Sequence, residues 1–321
     1  MRIVIFQESK VTDYHTGEEV AFSQEPSAVT VGSYDGVHAG HRKIIGQMVT
    51  IASTLELRSV VVTFEPHPRQ VVNRDPSGRL RLLTLLEEKA MLIERLGVEW
   101  LFVVRFDDVF AAQSSESFIQ DVLVDRIGAK SIVIGYDHGF GRDRKGGVNT
   151  LRKMAERNRF DVSVVDEVRL CSEHFSSTRI RTLLRDGYIK EANKFLGSPY
   201  LISGKVVHGH KKGREIGFPT VNIEIESPDK LLPKFGVYIA TTSIDGCEFK
   251  AMMNIGVRPT VAVDSAPVVE AYILDHTGDL YGKVLSFHLL ERLRDEMRFS
   301  SFDALQEQLR KDKKSVEHYQ K

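Results

Sequence analysis

Two histidines stand where a strand pattern gives way to a helix pattern near the start of the chain. The run 28–31 is short and apolar, turn-forming residues follow it, and residues 40–55 have helical periodicity. His38 and His41 lie three apart where this helix should begin, so both imidazoles could face one anion beside unsatisfied backbone N–H groups. The two small residues between them would let that anion approach the backbone. We therefore predict a phosphate site; the alternative is a pair of surface histidines in a loop.

The string around these histidines carries a family resemblance. His-x-Gly-His resembles the signature of the nucleotidyltransferase superfamily. The longer string 32–42 resembles the first motif of bacterial bifunctional riboflavin kinase/FAD synthetases, which usually have Phe at the position of Tyr34. The resemblance implies that both histidines are catalytic in adenylyl transfer. It also implies ATP contacts from Gly32, Asp35, His38 and His41.

A second phosphate-binding segment is predicted where a hydroxyl-rich run meets two arginines. Ser177 and Thr178 belong to a run of helix-capping residue types, which could serve as a cap alone. Arg179 follows at once, and cations at a helix N-terminus oppose the dipole unless an anion compensates them. The segment is similar to the Ser-Ser-Thr-x-Ile-Arg motif of nucleotidyltransferases. It implies that Ser177, Thr178 and Arg179 hold the outer phosphates of the ATP that His38 and His41 also bind.

A glycine-rich, basic segment spans residues 135–147. Its glycines would allow a ligand close to the backbone, although a flexible surface loop is the alternative. It resembles a Gly-x-Asp-Phe-x-Phe-Gly segment of the same family, with His138 in place of the first Phe. The resemblance implies that Asp137 and Phe140 contact the flavin of the adenylyltransferase.

The second half of the chain opens with another glycine-rich, basic string, 204–222. It lacks the Walker pattern, and it could be a hairpin loop without a ligand. Thr220 and Asn222 alternate to one side of a predicted strand and offer neutral oxygen ligands for Mg²⁺ once phosphates complete the shell. The string resembles the riboflavin kinase signature that ends Pro-Thr-Ala-Asn. It implies kinase ATP contacts from Gly204, Lys205, His210, Gly213 and Thr220.

Glu270 is the one charged residue in the apolar run 268–274. A carboxylate there could face water on an edge strand, but a buried one needs a partner or a function. The resemblance implies that Glu270 is the kinase catalytic base, accepting the proton of the terminal riboflavin hydroxyl. It also implies that Arg294 contacts the flavin, for which a surface ion pair is the alternative.

The element patterns divide the chain into two predicted domains. Residues 1–186 alternate strand and helix patterns, which favours a parallel sheet covered by helices on both faces. The Gly/Ser/Pro cluster 197–200 marks the change in pattern. We assign residues 187–321, which include the short helix that leads into this cluster, to the second domain. Its six short β-rich runs predict a closed antiparallel barrel, followed by a capped helix over 301–319. The resemblance makes the first domain nucleotidyltransferase-like (Rossmann-like) and the second a riboflavin kinase barrel.

Composition limits the function classes. The chain has 321 residues, with 44 basic and 44 acidic side chains, which argues against a nucleic-acid binder. Its two cysteines fit a reducing compartment. We find neither a signal-peptide pattern nor an apolar run of membrane-spanning length, so a cytoplasmic protein without membrane attachment is expected.

The combined hypothesis is a bifunctional riboflavin kinase/FMN adenylyltransferase. The resemblance implies ATP as co-substrate, Mg²⁺ as cofactor, and riboflavin, FMN and FAD as small-molecule partners. Two alternatives stay open at this point. One is a single-activity nucleotidyltransferase with a passive flavin-binding barrel, and the other is a non-catalytic flavin-binding protein.

Overall fold

The computed structural model describes residues 1–72, 80–136, 139–141, 146–167, 169–170, 173–209, 217–257 and 267–320. The chain divides into two compact units, Met1–Ser176 and Ser177–Lys321. The sequence predicted a domain boundary after residue 186, and this boundary stays a prediction. In the structure the helix Ser177–Asp186 belongs to the second unit.

A seven-stranded sheet organises the first unit, in the order β2-β1-β5-β4-β3-β6-β7. Every neighbouring pair is parallel except β1 with β2. The strands, together with a short separate hairpin of β8 and β9, are β1 Arg2–Gln7, β2 Lys10–Asp13, β3 Ser27–Val31, β4 Arg58–Glu65, β5 Trp100–Arg105, β6 Ala129–Gly135, β7 Asp161–Val165, β8 Arg169–Leu170 and β9 Glu173–His174. The predicted, mostly parallel sheet is confirmed, and β1 and β2 are additions that the sequence interpretation missed.

Helices connect these strands. They are α1 Ala39–Thr54, α2 Pro68–Val72, α3 Leu86–Glu94, α4 Asp108–Ala111, α5 Ser115–Ser117 and α6 Val148–Asn158. After α5 the chain continues as wider π-helical turns over Phe118–Ile127. Ser114 caps α5 by accepting a hydrogen bond from the Ser117 amide, and Gly128 ends the π-helical turns at a left-handed φ of 81°. A serine cap and a left-handed glycine are the residue types expected at the two ends of a helix.

The centre of the sheet explains where loops can bind ligands. All five residues of β3 are buried, as expected for a parallel strand covered on both faces. The chain proceeds from β3 to β4 and β5 on one side and places β6 and β7 on the other. The strand order therefore reverses between β3 and β6. Loops that leave the carboxyl ends of these two strands flank the crevice that open α/β sheets use for ligands.

The second unit is a closed barrel of six antiparallel strands, in the order β10-β11-β14-β13-β12-β15. Its elements are α7 Ser177–Asp186, α8 Ile189–Leu196, β10 Tyr200–Val207, β11 Val221–Glu224, β12 Gly236–Ile244, β13 Cys247–Gly256, β14 Val268–Ile273, β15 Val284–Arg294 and α9 Phe302–His318. Ser301 caps α9 by accepting a hydrogen bond from the Ala304 amide. The fully buried Val316 of α9 packs in a cluster with Val237 and Met252 of the barrel. The predicted barrel and terminal helix are confirmed.

Candidate functional site

The turn between β3 and α1 has a strained backbone. Gly32 donates its backbone N–H to the Val62 carbonyl at 3.0 Å, where β3 ends. Beyond it Tyr34, Gly36 and Val37 have φ of 47°, 86° and 40°. Positive φ is unusual for a β-branched residue such as Val37 and costs on the order of 1–3 kcal/mol. Contacts around the turn must hold this conformation.

The two predicted histidines meet at the end of this turn. His38 is the N-cap of α1, with an extended backbone, and its Nδ1 accepts a hydrogen bond from the His41 amide at 3.3 Å. The imidazole rings stack with centroids 3.5 Å apart. Tyr34 meets the His41 ring edge-on at 5.1 Å. The structure thus brings both rings to one place at the helix start, although His38 is the cap and not the first helical residue.

The protonation of His38 follows from these contacts. Its side chain is 6% exposed, and burial lowers the pKa of His38 from 6.5 to about 4. The ring is therefore neutral near pH 7. Since Nδ1 accepts the His41 amide, the proton lies on Nε2. His38 can thus act as a neutral hydrogen-bond donor through Nε2.

This shift predicts a pH dependence of stability. Between pH 6.5 and about 4 the unfolded chain binds a proton at His38 that the folded chain does not, so the free energy of unfolding falls as pH falls through this window. We expect His38 to account for a loss of about 3 kcal/mol once the pH is below both pKa values. Chemical unfolding from pH 7 to 4.5 measures it. His38→Asn, which keeps a capping side chain, should show a shallower decline, and parallel curves for variant and wild type would contradict the assignment.

The other residues of the first motif have structural contacts in the described part of the chain. An added Cβ at Gly32 would come within 2.9 Å of the Tyr34 ring. The buried Asp35 carboxylate accepts hydrogen bonds from the backbone amides of Leu83 (2.8 Å) and Thr84 (3.0 Å). ATP binding by Gly32 and Asp35 stays a prediction.

The predicted flavin contacts of the first unit are only partly within the described residues. Asp137 lies outside them. Phe140 is 8% exposed and meets the ring of Phe118 at 5.7 Å, at one end of an aromatic cluster that includes Phe64 and Phe110. Phe140 therefore contributes to the core beside the end of β4, and flavin contact stays a prediction.

Ser177, Thr178 and Arg179 form the first turn of α7, so the two hydroxyl residues lie within the helix and not before it as caps. Thr178 and Arg179 are exposed. No acidic residue occupies this first turn, so the helix dipole there favours an anion. The second unit begins at Ser177. Joint binding of one triphosphate with His38 and His41 stays a prediction.

In the barrel, three polar residues form a row across neighbouring strands. Asn222 of β11 pairs with Glu270 of β14, and Glu270 pairs with Asn254 of β13. Residues directly opposite in antiparallel strands share a face and approach within about 5 Å. The register thus places the predicted metal ligand Asn222 beside the predicted base Glu270. Asn254 is the third member of the row.

The Asn222 side chain supports a ligand at this row. Asn222 is 9% exposed, and its Oδ1 has no hydrogen-bond partner among the described residues. Its amide lies so close to Gly209 that an added Cβ there would overlap it. A buried carbonyl oxygen without a partner is costly. An oxygen-binding cation would relieve this cost, so the site fits the predicted Mg²⁺.

The remaining predicted kinase contacts have four different outcomes. His210 and Gly213 lie outside the described residues. Gly204 lies against the Glu224 carbonyl of β11, where an added Cβ would clash, so the barrel itself requires this glycine. Lys205 is exposed on β10. Thr220 stands one residue before β11, not within a strand.

Arg294, the predicted flavin contact, is held in an ion pair. Its Nη2 lies 2.7 Å from the Asp312 carboxylate of α9, and its Nε lies 3.0 Å from the same oxygen. Asp312 is 4% exposed and also accepts a hydrogen bond from Gln308. This ion pair ties β15 to the terminal helix. A flavin contact of Arg294 stays a prediction.

Comparison with known proteins decides the family. Residues 21–179 match the family model described as FAD synthetase, and residues 196–320 match the one described as riboflavin kinase. The chain is 38% identical over 288 residues to the bifunctional riboflavin kinase/FMN adenylyltransferase of Listeria monocytogenes, covering 90% of each chain. This chain belongs to the bifunctional riboflavin kinase/FMN adenylyltransferase family. The predicted family and enzyme class are confirmed.

Other matches agree with this membership of the bifunctional family. The Bacillus subtilis enzyme of the same name is 34% identical over 307 residues, which cover 95% of this chain and 96% of its own. A solved structure from Streptococcus pneumoniae, described as a macrolide-efflux protein, has 31% identity and a TM-score of 0.83. That match covers 93% of this chain and 96% of the streptococcal one. The description applies to the streptococcal protein, and the likeness supports the fold found here.

The kinase unit of this bifunctional enzyme also contains a cavity of about 440 Å³ that the sequence interpretation missed. It is lined by Val206, Pro219, Thr220, Val221, Ile273 and the loop 276–281. Tyr281 of this loop packs its ring on His208 at 3.8 Å between centroids. The turn-forming residues at 277–279 do not by themselves reveal what this loop covers.

Among the residues that the structure describes, no group of three or more His, Cys, Asp or Glu side chains could hold a metal ion. The predicted Mg²⁺ ligands are neutral oxygens of other residue types, Thr220 and Asn222. The described part of the chain also contains no helix long and apolar enough to span a membrane.

Proposed function

We propose that the first unit transfers AMP from ATP to FMN and that the barrel unit supplies FMN by phosphorylating riboflavin. In the first reaction a phosphate oxygen of FMN attacks the α-phosphorus of ATP. The bond from that phosphorus to the bridging oxygen breaks, and pyrophosphate leaves with the electron pair. No covalent enzyme intermediate is needed. Catalysis then depends on positioning and on neutralising charge on the transferred phosphorus centre.

His38 and His41 are the proposed donors for this charge. The neutral His38 ring offers Nε2–H, and the start of α1 adds backbone donors and a favourable dipole. Ser177, Thr178 and Arg179 are proposed to bind the outer phosphates. Asp137 and Phe140 are proposed to contact the flavin.

In the barrel unit Glu270 is the proposed catalytic base. Its carboxylate accepts the proton of the terminal riboflavin hydroxyl while that oxygen attacks the γ-phosphorus of ATP, and ADP leaves. The row formed with Asn222 and Asn254 supports this role, because it sets a carboxylate beside a buried carbonyl oxygen that lacks a partner among the described residues.

Mg²⁺ is the proposed cofactor of the kinase reaction. Asn222 Oδ1 and Thr220 would hold it, and its charge would offset that of the ATP phosphates. We assign the cavity lined by Thr220 to the nucleoside of the same ATP, with Tyr281 as an aromatic wall. Gly204, Lys205, His210 and Gly213 stay proposed contacts of this nucleotide.

The observation that carries the proposal is the match of two family models to the two halves of one chain. An end-point assay with riboflavin, ATP and Mg²⁺, resolving the flavins by chromatography, tests it. FAD that appears through FMN supports both activities. Formation of FMN without FAD would support only the kinase activity. No conversion of riboflavin would favour a non-catalytic flavin-binding protein. A cytoplasmic location, without nucleic-acid or membrane partners, stays a prediction.

The metal assignment has its own test. Asn222→Ala removes the carbonyl oxygen, so FMN formation should need about tenfold more Mg²⁺ for half-maximal rate, in the range found for lost metal-site interactions. FAD formation from added FMN should keep its Mg²⁺ dependence. Asn193→Ala, at a hydrogen-bonded helix asparagine of the same unit, is the control for nonspecific destabilisation. An unchanged Mg²⁺ dependence of FMN formation in Asn222→Ala would refute the assignment.

A further inference from the structure

A buried lysine with no role in the proposed reactions lies beside the adenylyltransferase turn. Lys89 belongs to α3 and is 3% exposed. Lysine is almost never this buried unless it is paired, because its charge is costly to remove from water. Burial lowers the pKa of Lys89, and attraction to Glu65 and Asp35 opposes that shift. Both carboxylates therefore attract the ammonium electrostatically, and Asp35 belongs to the strained turn.

A hydrogen-bond relay connects Lys89 to the same turn by a second route. The Lys89 Nζ donates to Thr63 Oγ1 at 3.3 Å. Thr63 is fully buried at the end of β4, and its hydroxyl donates to the Ser33 carbonyl at 3.2 Å. A charged donor strengthens the hydroxyl that it binds, and low polarity around the pair strengthens both bonds. Lys89 thus fixes the first residue after Gly32.

Additional contacts hold the same side of the turn. Asp35 accepts the amides of Leu83 and Thr84, and Thr84 Oγ1 accepts the Gly36 amide at 3.0 Å. These bonds join the turn to the segment that leads into α3. Strained backbone persists only where its surroundings determine it closely. Here the turn is held by the bonds of Asp35 and by the relay from Lys89 through Thr63.

We propose that Lys89 is a positioning residue for adenylyl transfer. Through the Thr63 relay, supported by electrostatic attraction to Asp35, it holds the turn 32–38 in the strained form that presents His38 and His41. Its low exposure means that it acts through the turn and does not touch ATP. The proposal extends the known activity of the family to this residue, and it rests on the proposed function of the two histidines.

The test compares Lys89→Met with wild type in both activities of the same chain. The substitution keeps the length and burial of the side chain and removes its charge and donors. We expect kcat for FAD formation from added FMN to fall about 10²-fold, the effect of a displacement of roughly 1 Å in catalytic groups. KM for ATP should stay within about twofold, because the loss falls on the transition state. FMN formation from riboflavin should keep its rate, which reports a folded second unit.

Three further variants separate positioning from stability. Thr63→Val keeps the side-chain shape but breaks the relay, so FAD formation should fall about tenfold, while Thr63→Ser keeps the hydroxyl and should restore the rate. Lys130→Met, at an exposed position of β6, should behave as wild type. If Lys89→Met does not fold, the comparison of Thr63→Val with Thr63→Ser still tests the positioning role of Lys89.

Two results of these experiments would contradict the positioning role of Lys89. Wild-type kcat in Lys89→Met, or equal rates in Thr63→Val and Thr63→Ser, would overturn the proposal. His38→Asn, measured in parallel, tests the histidine site by itself. A fully active His38→Asn would refute the proposed role of that histidine. If Lys89→Met were inactive while His38→Asn was fully active, the proposal that Lys89 acts by positioning the histidines would also be refuted.

Discussion

Glu270→Gln should lower the rate of FMN formation from riboflavin by a factor of about 10²–10⁴, the usual contribution of a general base. The amide keeps the shape of the side chain and can both donate and accept hydrogen bonds, so the barrel should fold normally. It cannot accept the proton of the riboflavin hydroxyl near neutral pH. Steady-state assays with riboflavin and ATP·Mg²⁺ measure the effect.

The bifunctional chain supplies its own control for this experiment. FAD formation from added FMN should proceed at the wild-type rate in Glu270→Gln. Glu248→Gln, at an exposed position of β13 in the same barrel, is the matched substitution and should leave both activities unchanged. If FMN formation survives Glu270→Gln undiminished, Glu270 is not the base.

His38→Asn should lower FAD formation by a factor of about 10²–10³, as found when one donor to a developing negative charge is removed. Asparagine is a favourable N-cap and can still accept the His41 amide, so α1 keeps its cap. It does not provide an N–H at the position of the imidazole Nε2. The experiment therefore separates the capping role of His38 from its proposed role as a donor.

His41→Gln should lower the rate of FAD formation by a similar factor, because the stacked rings of His38 and His41 lie at the same site. His15→Asn, at an exposed position of the first unit, controls for the loss of a histidine in general. FMN formation should be unaffected in all three variants. Full FAD synthesis in both His38→Asn and His41→Gln would refute the proposed phosphate site.

Local pattern predicted the elements well where the signal lies within a few residues. The cap at Ser114, the stop at Gly128 and the start of α1 all follow from residue types that satisfy or end a helix locally. Alternating β-rich runs predicted the barrel for the same reason. The strands β1 and β2 were missed, because a short apolar run at the N-terminus does not indicate its partners.

The sequence by itself determined the order of elements, the two-part organisation, the family and the residue types of both sites. Only the tertiary structure decided which of these residues meet. Asn254 and Glu270 stand side by side through strand register, Arg294 joins Asp312 across two elements, and Lys89 reaches the turn through Thr63. Motifs record what lies within a few positions along the chain. Pairing and burial bring together residues far apart in sequence, and no local pattern specifies that proximity.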